Sequence, residues 1–156
     1  MVEQICFNTV LLDSAKEIFS TMVFMDLVEI TEPDVKIDRA LLGSITFKGG
    51  LEGCLGICCD VQCARAIAVN MLGMDSDSEL TEEGTCDAIG EIVNMIMGGV
   101  KSRILKDVGN LEVSIPSVVS GNNLNSLEHK SIRVTIPINI DDKYAAELSL
   151  LYRESI

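Results

Sequence analysis

The stretch that most constrains this chain is TCDAIGEIVNMIMGGVKSRI, Thr85 to Ile104, whose apolar residues recur at helical spacing. On a wheel of about 100° per residue, Ile89, Ile92, Val93, Ile96 and Val100 fall on one side and predict a core stripe. Asp87, Glu91 and Asn94 fall almost opposite, within an arc of roughly 60°. Asn is a poor helix former with no charge to contribute, so its place among the acids needs a local reason. Gly98 continues the stripe one turn on, at a cost of about 0.5 to 1 kcal/mol relative to alanine, and leaves room for another backbone. Met95 and Met97 are expected on its two shoulders as adaptable apolar edges. Taken alone, the wheel fits either a solvated face or a docking face.

A core under such a helix must be aliphatic, because 47% of the chain is apolar but only 4% is aromatic and Trp is absent. With 156 residues the chain is expected to form one domain, 1–156, that buries roughly two-thirds of its unfolded surface. Twelve basic residues among twenty-four acids, a net charge of −12, form no positive stripe and argue against nucleic acid and anionic membranes as partners. No apolar run approaches about 18 residues and Met1 to Cys6 has no basic start, so a soluble cytoplasmic protein is expected.

Cys6, Cys54, Cys58, Cys59, Cys63 and Cys86 raise the question of metal or disulfides. No CxxC occurs and His129 is the only histidine. Buried free thiols acting as small hydrophobes are the simplest reading, with no metal site.

Taken in order, Phe7 to Val28 reads as a helix with Leu11, Ala15, Ile18, Phe19, Met22 and Val23 on its apolar face, broken at Thr31 to Asp34 around Pro33. Ser44 to Phe47 and Cys54 to Cys59 are expected strands, joined by the glycine-rich Lys48 to Gly53. Asp60 is placed to cap a helix that runs to Leu72 and stops at Gly73, and Thr81 to cap the next, with Glu82 and Glu83 in its first turn. After a turn at Asp107 to Asn110, Leu111, Val113 and Ile115 alternate as a strand ending at Pro116. Ser120 to Ser126 reads as polar loop. Ser131 to Ile140 and Ala145 to Tyr152 form a hairpin through Asp141-Asp142-Lys143, with Pro137 marking an edge or bulge.

DSAKEIFSTMV, Asp13 to Val23, overlays DAIGEIVNMIM, Asp87 to Met97, with Asp13, Glu17 and Ile18 matching identical residues. Each segment precedes a hairpin, the pattern of an α+β fold in which helices cover an antiparallel sheet in two helix-plus-hairpin units. Ser20 and Phe24 stand in the first segment where Asn94 and Gly98 stand in the second.

Asp87-x3-Glu91-x2-Asn94-x21-Pro116 resembles the signature of the CheC/CheX/FliY chemotaxis phosphatases. ELTEEGTCDAIGEIVNMIMGGVK, VSIPSVVSG and the hairpin GSITFKGGLEGCLGICC are similar to the CheX branch, and the resemblance covers essentially the whole chain. It implies the CheC-like fold, a phosphorylated CheY-type response regulator as partner, and hydrolysis of its aspartyl phosphate. Ser20 in place of a second Asn implies one site per chain.

Under that resemblance Asn94 positions the attacking water and Glu91 pairs with a regulator lysine. Asp87 bonds to backbone or pairs across the interface, Gly98 admits the partner's backbone, and Lys101 is solvated or a rim contact. Pro116 shapes a strand end. Magnesium belongs to the regulator and the chain has no cofactor of its own; a homodimer is also implied. The alternative is an adaptor that binds a response regulator or flagellar-switch component without catalysis.

Overall fold

The computed structural model describes residues 2–31, 40–121 and 131–155. A short 3₁₀ turn, Val2–Gln4, leads into α1 (Phe7–Ile18), which continues as a wider π turn, Phe19–Val23. There the helix ends, five residues before the expected Val28. Phe24 takes a left-handed conformation at φ 60° and the Met25 N–H donates back to the Phe19 carbonyl at 3.2 Å. Leu27–Glu29 then forms β1, because its backbone is taken up by β6 rather than by another helical turn. The expected break around Pro33 lies outside the described residues.

β2 (Ala40–Lys48) and β3 (Leu51–Asp60) are longer than the sequence indicates and meet in a turn of only Gly49 and Gly50. α2 (Val61–Leu72) and α3 (Glu82–Val108) follow, with caps where the sequence places them. The Cys63 N–H donates to the Asp60 carboxylate at 2.7 Å and the Gly84 N–H to the Thr81 hydroxyl at 2.9 Å. Such caps contribute about 1 kcal/mol each. Gly73 closes α2 in the left-handed conformation.

β4 (Glu112–Val113) and β5 (Ser117–Gly121) come next, so the first residues of the expected polar loop, Ser120 and Gly121, are paired strand. Residues 122–130 of that region lie outside the described residues. β6 (Ile132–Ile140) and β7 (Tyr144–Glu154) form the predicted hairpin. Asp141 and Asp142 both sit at φ 55° in a three-residue connection, 141–143, where the Lys143 N–H donates to the Ile140 carbonyl at 3.1 Å.

The seven strands form one antiparallel sheet in the order β1-β6-β7-β3-β2, with β4 and β5 sharing the outer side of β2. Pro137 is in register with Glu147 of β7, and its carbonyl accepts from Ile30 just beyond β1. Its missing N–H therefore faces the side where pairing with β1 has ended.

The register places Gly43, Ile57, Leu148 and Ile136 side by side on the face covered by helices, and Ser44, Gly56, Ser149 and Thr135 on the other. α3 lies close over β2: a Cβ on Gly43 would come within 2.8 Å of Ile89 Cγ2 and 2.9 Å of Val93 Cγ2. Gly43 therefore sets how deeply the helix sits. At the far end a Cβ on Gly50 would meet the Val108 carbonyl oxygen at 2.5 Å, which fixes the direction of α3 along β2. The chain is an α+β fold with its aliphatic core between helices and sheet.

Candidate functional site

Burial of α3 follows the wheel. Ile89, Ile92, Val93 and Ile96 are fully buried and Val100 is 1% exposed. With this stripe against the sheet, Asp87, Glu91, Asn94 and Gly98 point outward and are exposed. Burying the aliphatic side holds the polar one at a fixed orientation.

No hydrogen bond or ion pair within the described residues engages the side chains of Asp87, Glu91 or Asn94. Other acids in the fold are used internally: Asp60 caps α2, Asp77 pairs with Arg65 at 3.0 Å, and Glu17 pairs with Arg103 at 2.6 Å. The stripe thus presents two carboxylates and one amide whose hydrogen-bonding capacity is free for a partner. At its N-terminal end, burial first and then the Glu82 and Asp87 carboxylates hold the Cys86 thiol above its usual range.

A Cβ on Gly98 would meet nothing within 4 Å, so no contact inside the fold calls for glycine there. Lys101 is half-buried one turn further on. Pro116 lies beside the helix: a Cβ on Gly90 would sit 3.5 Å from Pro116 Cγ and 3.7 Å from Val118 Cγ2. Gly90 is i+3 from Asp87 and i−4 from Asn94, so Pro116 packs on the shoulder of the stripe. All six expected site residues therefore belong to one neighbourhood, five on α3 and Pro116 against it.

Met97 departs from expectation. It is 1% exposed and belongs to the core, whereas Met95 is partly buried and packs against it. Met97 stands two turns beyond Gly90 on the flank where β5 approaches the helix, which leaves Met95 alone as an adaptable edge.

Two exposed apolar residues are unanticipated, one on the stripe's face and one beside Pro116 in the chain. Leu105 continues it at 51% exposure, and Ile115, next to Pro116, is 88% exposed. The wheel could have found Leu105, since it lies two turns beyond Gly98 on the same face. Ile115 reads as an alternating strand residue and gives no such signal.

The site is convex. A groove of about 460 Å³ lined by Thr46, Lys48, Glu52, Glu112, Ser114 and Arg153 lies elsewhere and includes none of the stripe residues. Among the described residues no three His, Cys, Asp or Glu side chains converge where they could hold a metal ion, and the six cysteines form no disulfide with one another. No helix among them is long and apolar enough to cross a membrane. An exposed face of carboxylates and an amide suits contact with another molecule.

Comparison with known proteins bears on that face. The family model described as chemotaxis phosphatase CheX matches residues 41–141, from β2 through β6 and including all of α3. No curated protein matches the chain in sequence. Among solved structures, the chemotaxis protein CheX of Vibrio vulnificus is 28% identical with a TM-score of 0.76, covering 96% of this chain and 97% of its own. CheX of Desulfovibrio desulfuricans is 22% identical with a TM-score of 0.74, covering 97% and 100%. The CheX–CheY–BeF3–Mg2+ complex of Borrelia burgdorferi is matched at 19% identity and a TM-score of 0.75, covering 97% and 100%. The last two matches concern the fold alone. With the family model spanning the helix that carries the stripe and most of the sheet beneath it, the chain belongs to the family of the chemotaxis phosphatase CheX.

Proposed function

We propose that this chain hydrolyses the aspartyl phosphate of a CheY-type response regulator, with the outward face of α3 entering the regulator's active site. Family membership and the Borrelia complex of CheX with CheY support the partner. The observation that carries the reading is that Glu91 and Asn94 stand one turn apart on an exposed face, unused by the chain's own fold.

An acyl phosphate already has a good leaving group, so its hydrolysis requires positioning more than activation. Water adds to phosphorus as the acyl P–O bond breaks, the regulator's aspartate leaves as a carboxylate, and inorganic phosphate is released. In this reading the Asn94 carbonyl accepts a hydrogen bond from the water and orients it in line. A neutral amide does so without placing negative charge beside the phosphoryl group. Glu91 pairs with a cationic side chain of the regulator, and Asp87 and Lys101 make flanking contacts. Gly98 admits the partner's backbone, while Pro116 keeps β5 against the helix. Mg2+ belongs to the regulator. A single domain over residues 1–156, a homodimer and a cytoplasmic location are parts of the same reading.

The test uses phosphorylated regulator in excess over this chain, with phosphate release followed over time. Many turnovers per chain are expected. Capture limited to one regulator per chain, without faster release, would identify a non-catalytic adaptor instead.

A further inference from the structure

The link between β4 and β5 contains an irregularity that the fold does not need. Ser44 is in register with Ser117 and Phe47 with Val113, so Ser114, Ile115 and Pro116 stand opposite only Ile45 and Thr46. This is a one-residue bulge, a device that bends an edge and re-aims a side chain, often beside an active site.

The bulge is firmly mounted. The Ser114 N–H donates to the Thr46 carbonyl at 2.9 Å, and the Thr46 N–H donates to the Ser114 hydroxyl at 3.0 Å. That hydroxyl in turn donates to the Ile115 carbonyl at 2.9 Å. On the other side Pro116 packs at Gly90, on the shoulder of the stripe. Held from both sides, Ile115 is 88% exposed, the highest value among the exposed large apolar side chains of the described residues.

Protection of the sheet edge explains the bulge and the proline, since both hinder pairing with a second strand. It does not explain the isoleucine. Edges are usually blunted with charge, and a fixed, bare aliphatic side chain has the opposite tendency.

We propose that Ile115 is the apolar docking contact of this site, packing on an aliphatic surface of the phosphorylated regulator beside the cleft that receives Glu91 and Asn94. The inference rests on the phosphatase reading above. Between Asp87 and Gly98 the stripe supplies charge and a single amide, with apolar area only at Met95 on its edge and at Leu105 two turns on, and the bulge fixes a further exposed aliphatic side chain one residue from Pro116, which packs at Gly90. Ile115 touches no reacting atom, so it acts on affinity and not on the chemical step.

Ile115→Ser, Ile115→Leu and the control Val119→Ser are compared with the unaltered chain by KM and kcat for phosphorylated regulator. Val119 is also exposed on the edge, but its register partner Leu42 lies on the sheet face away from α3. Ile115→Ser is expected to raise KM roughly tenfold with kcat and melting temperature unchanged, as for loss of one buried aliphatic contact. Ile115→Leu should stay within about threefold of the unaltered chain. An unchanged KM for Ile115→Ser, or an equal rise for Val119→Ser, overturns the proposal while leaving the phosphatase reading intact. Absence of both binding and hydrolysis in the unaltered chain, over a panel of regulators, overturns the two together.

Discussion

Arg103 of α3 donates to the Glu17 carboxylate of α1 at 2.6 Å and to its own Gly99 carbonyl at 3.2 Å. Glu17 is the residue that the overlay of the two helical segments sets opposite Glu91. The two glutamates differ in use. One ties α1 to α3, at a point where a Cβ on Gly99 would come within 3.2 Å of Ser14 Cβ, while the other has no partner among the described residues.

The Arg103–Glu17 pair is 32% and 58% exposed, so water and salt screen it. Arg103→Ala is expected to cost about 0.5 to 1 kcal/mol, a fall of about 2 to 4 °C in melting temperature per kcal/mol for a chain of this size. Melts at low and high salt check this, and the difference from the unaltered chain should shrink as salt rises.

Gly43 determines how closely α3 rests on β2. Gly43→Ala puts a methyl group into the 2.8 and 2.9 Å spaces beside Ile89 and Val93, for an expected loss of about 1 to 3 kcal/mol by overpacking. Urea unfolding measures the loss. The strain bears on the helix that carries Glu91 and Asn94, so hydrolysis should suffer more than in Arg103→Ala.

Much of this arrangement is legible in the sequence where a local pattern and the tertiary fold agree. The aliphatic spacing of α3, the caps Asp60 and Thr81, and the paired aspartates at the β6–β7 turn each act through their immediate neighbours. What escapes the sequence depends on distant partners. α1 ends early because β6 claims Leu27–Glu29, and the expected loop at Ser120 is strand because β2 has a free edge there. Met97 is buried because it lies on the flank of α3 that faces β5, and one helix's periodicity does not say which flank a later strand approaches. The bulge at Ile115 is likewise a count of residues on two strands and is invisible on either alone.

The cysteines are expected to separate by reactivity. Cys6 is exposed, and hydrogen bonds with Thr9 lower its pKa. Burial, then the nearby Glu147 charge, pushes Cys58 up to about 11. Contact with Cys63 and burial hold the Cys59 thiol well above its usual range. Brief alkylation at pH 8, read by mass spectrometry, should label Cys6 first and leave Cys59 unmodified in the native chain. For Cys58 the folded state favours the neutral thiol, so its contribution to stability is complete below the ordinary value of 9.0 and is lost as pH rises through about 11.

Within the stripe, Asn94 and Glu91 should fail differently. Asn94→Ala removes the group assigned to orient water and is expected to lower kcat about 100-fold with little change in affinity. Glu91→Ala removes the proposed anchor and should weaken binding by about 2 to 5 kcal/mol, as for one partner of a buried charge pair. Full activity in Asn94→Ala excludes it from the mechanism, and unchanged affinity in Glu91→Ala places the anchor elsewhere.

Gly98 gives the sharpest separation of fold from function. A Cβ there would touch nothing within 4 Å, and the residue lies inside α3 far from either end. Its conformational freedom is therefore a pure cost to the helix, and Gly98→Ala should stabilise the chain by about 0.5 to 1 kcal/mol. Under the proposed function the same methyl group would enter the space through which the regulator's backbone approaches. A variant that melts higher yet hydrolyses more slowly is the expected result, seen as raised KM. Higher stability with unchanged KM would show that the partner does not approach at Gly98, and would confine the contact to the Asp87–Asn94 half of the stripe.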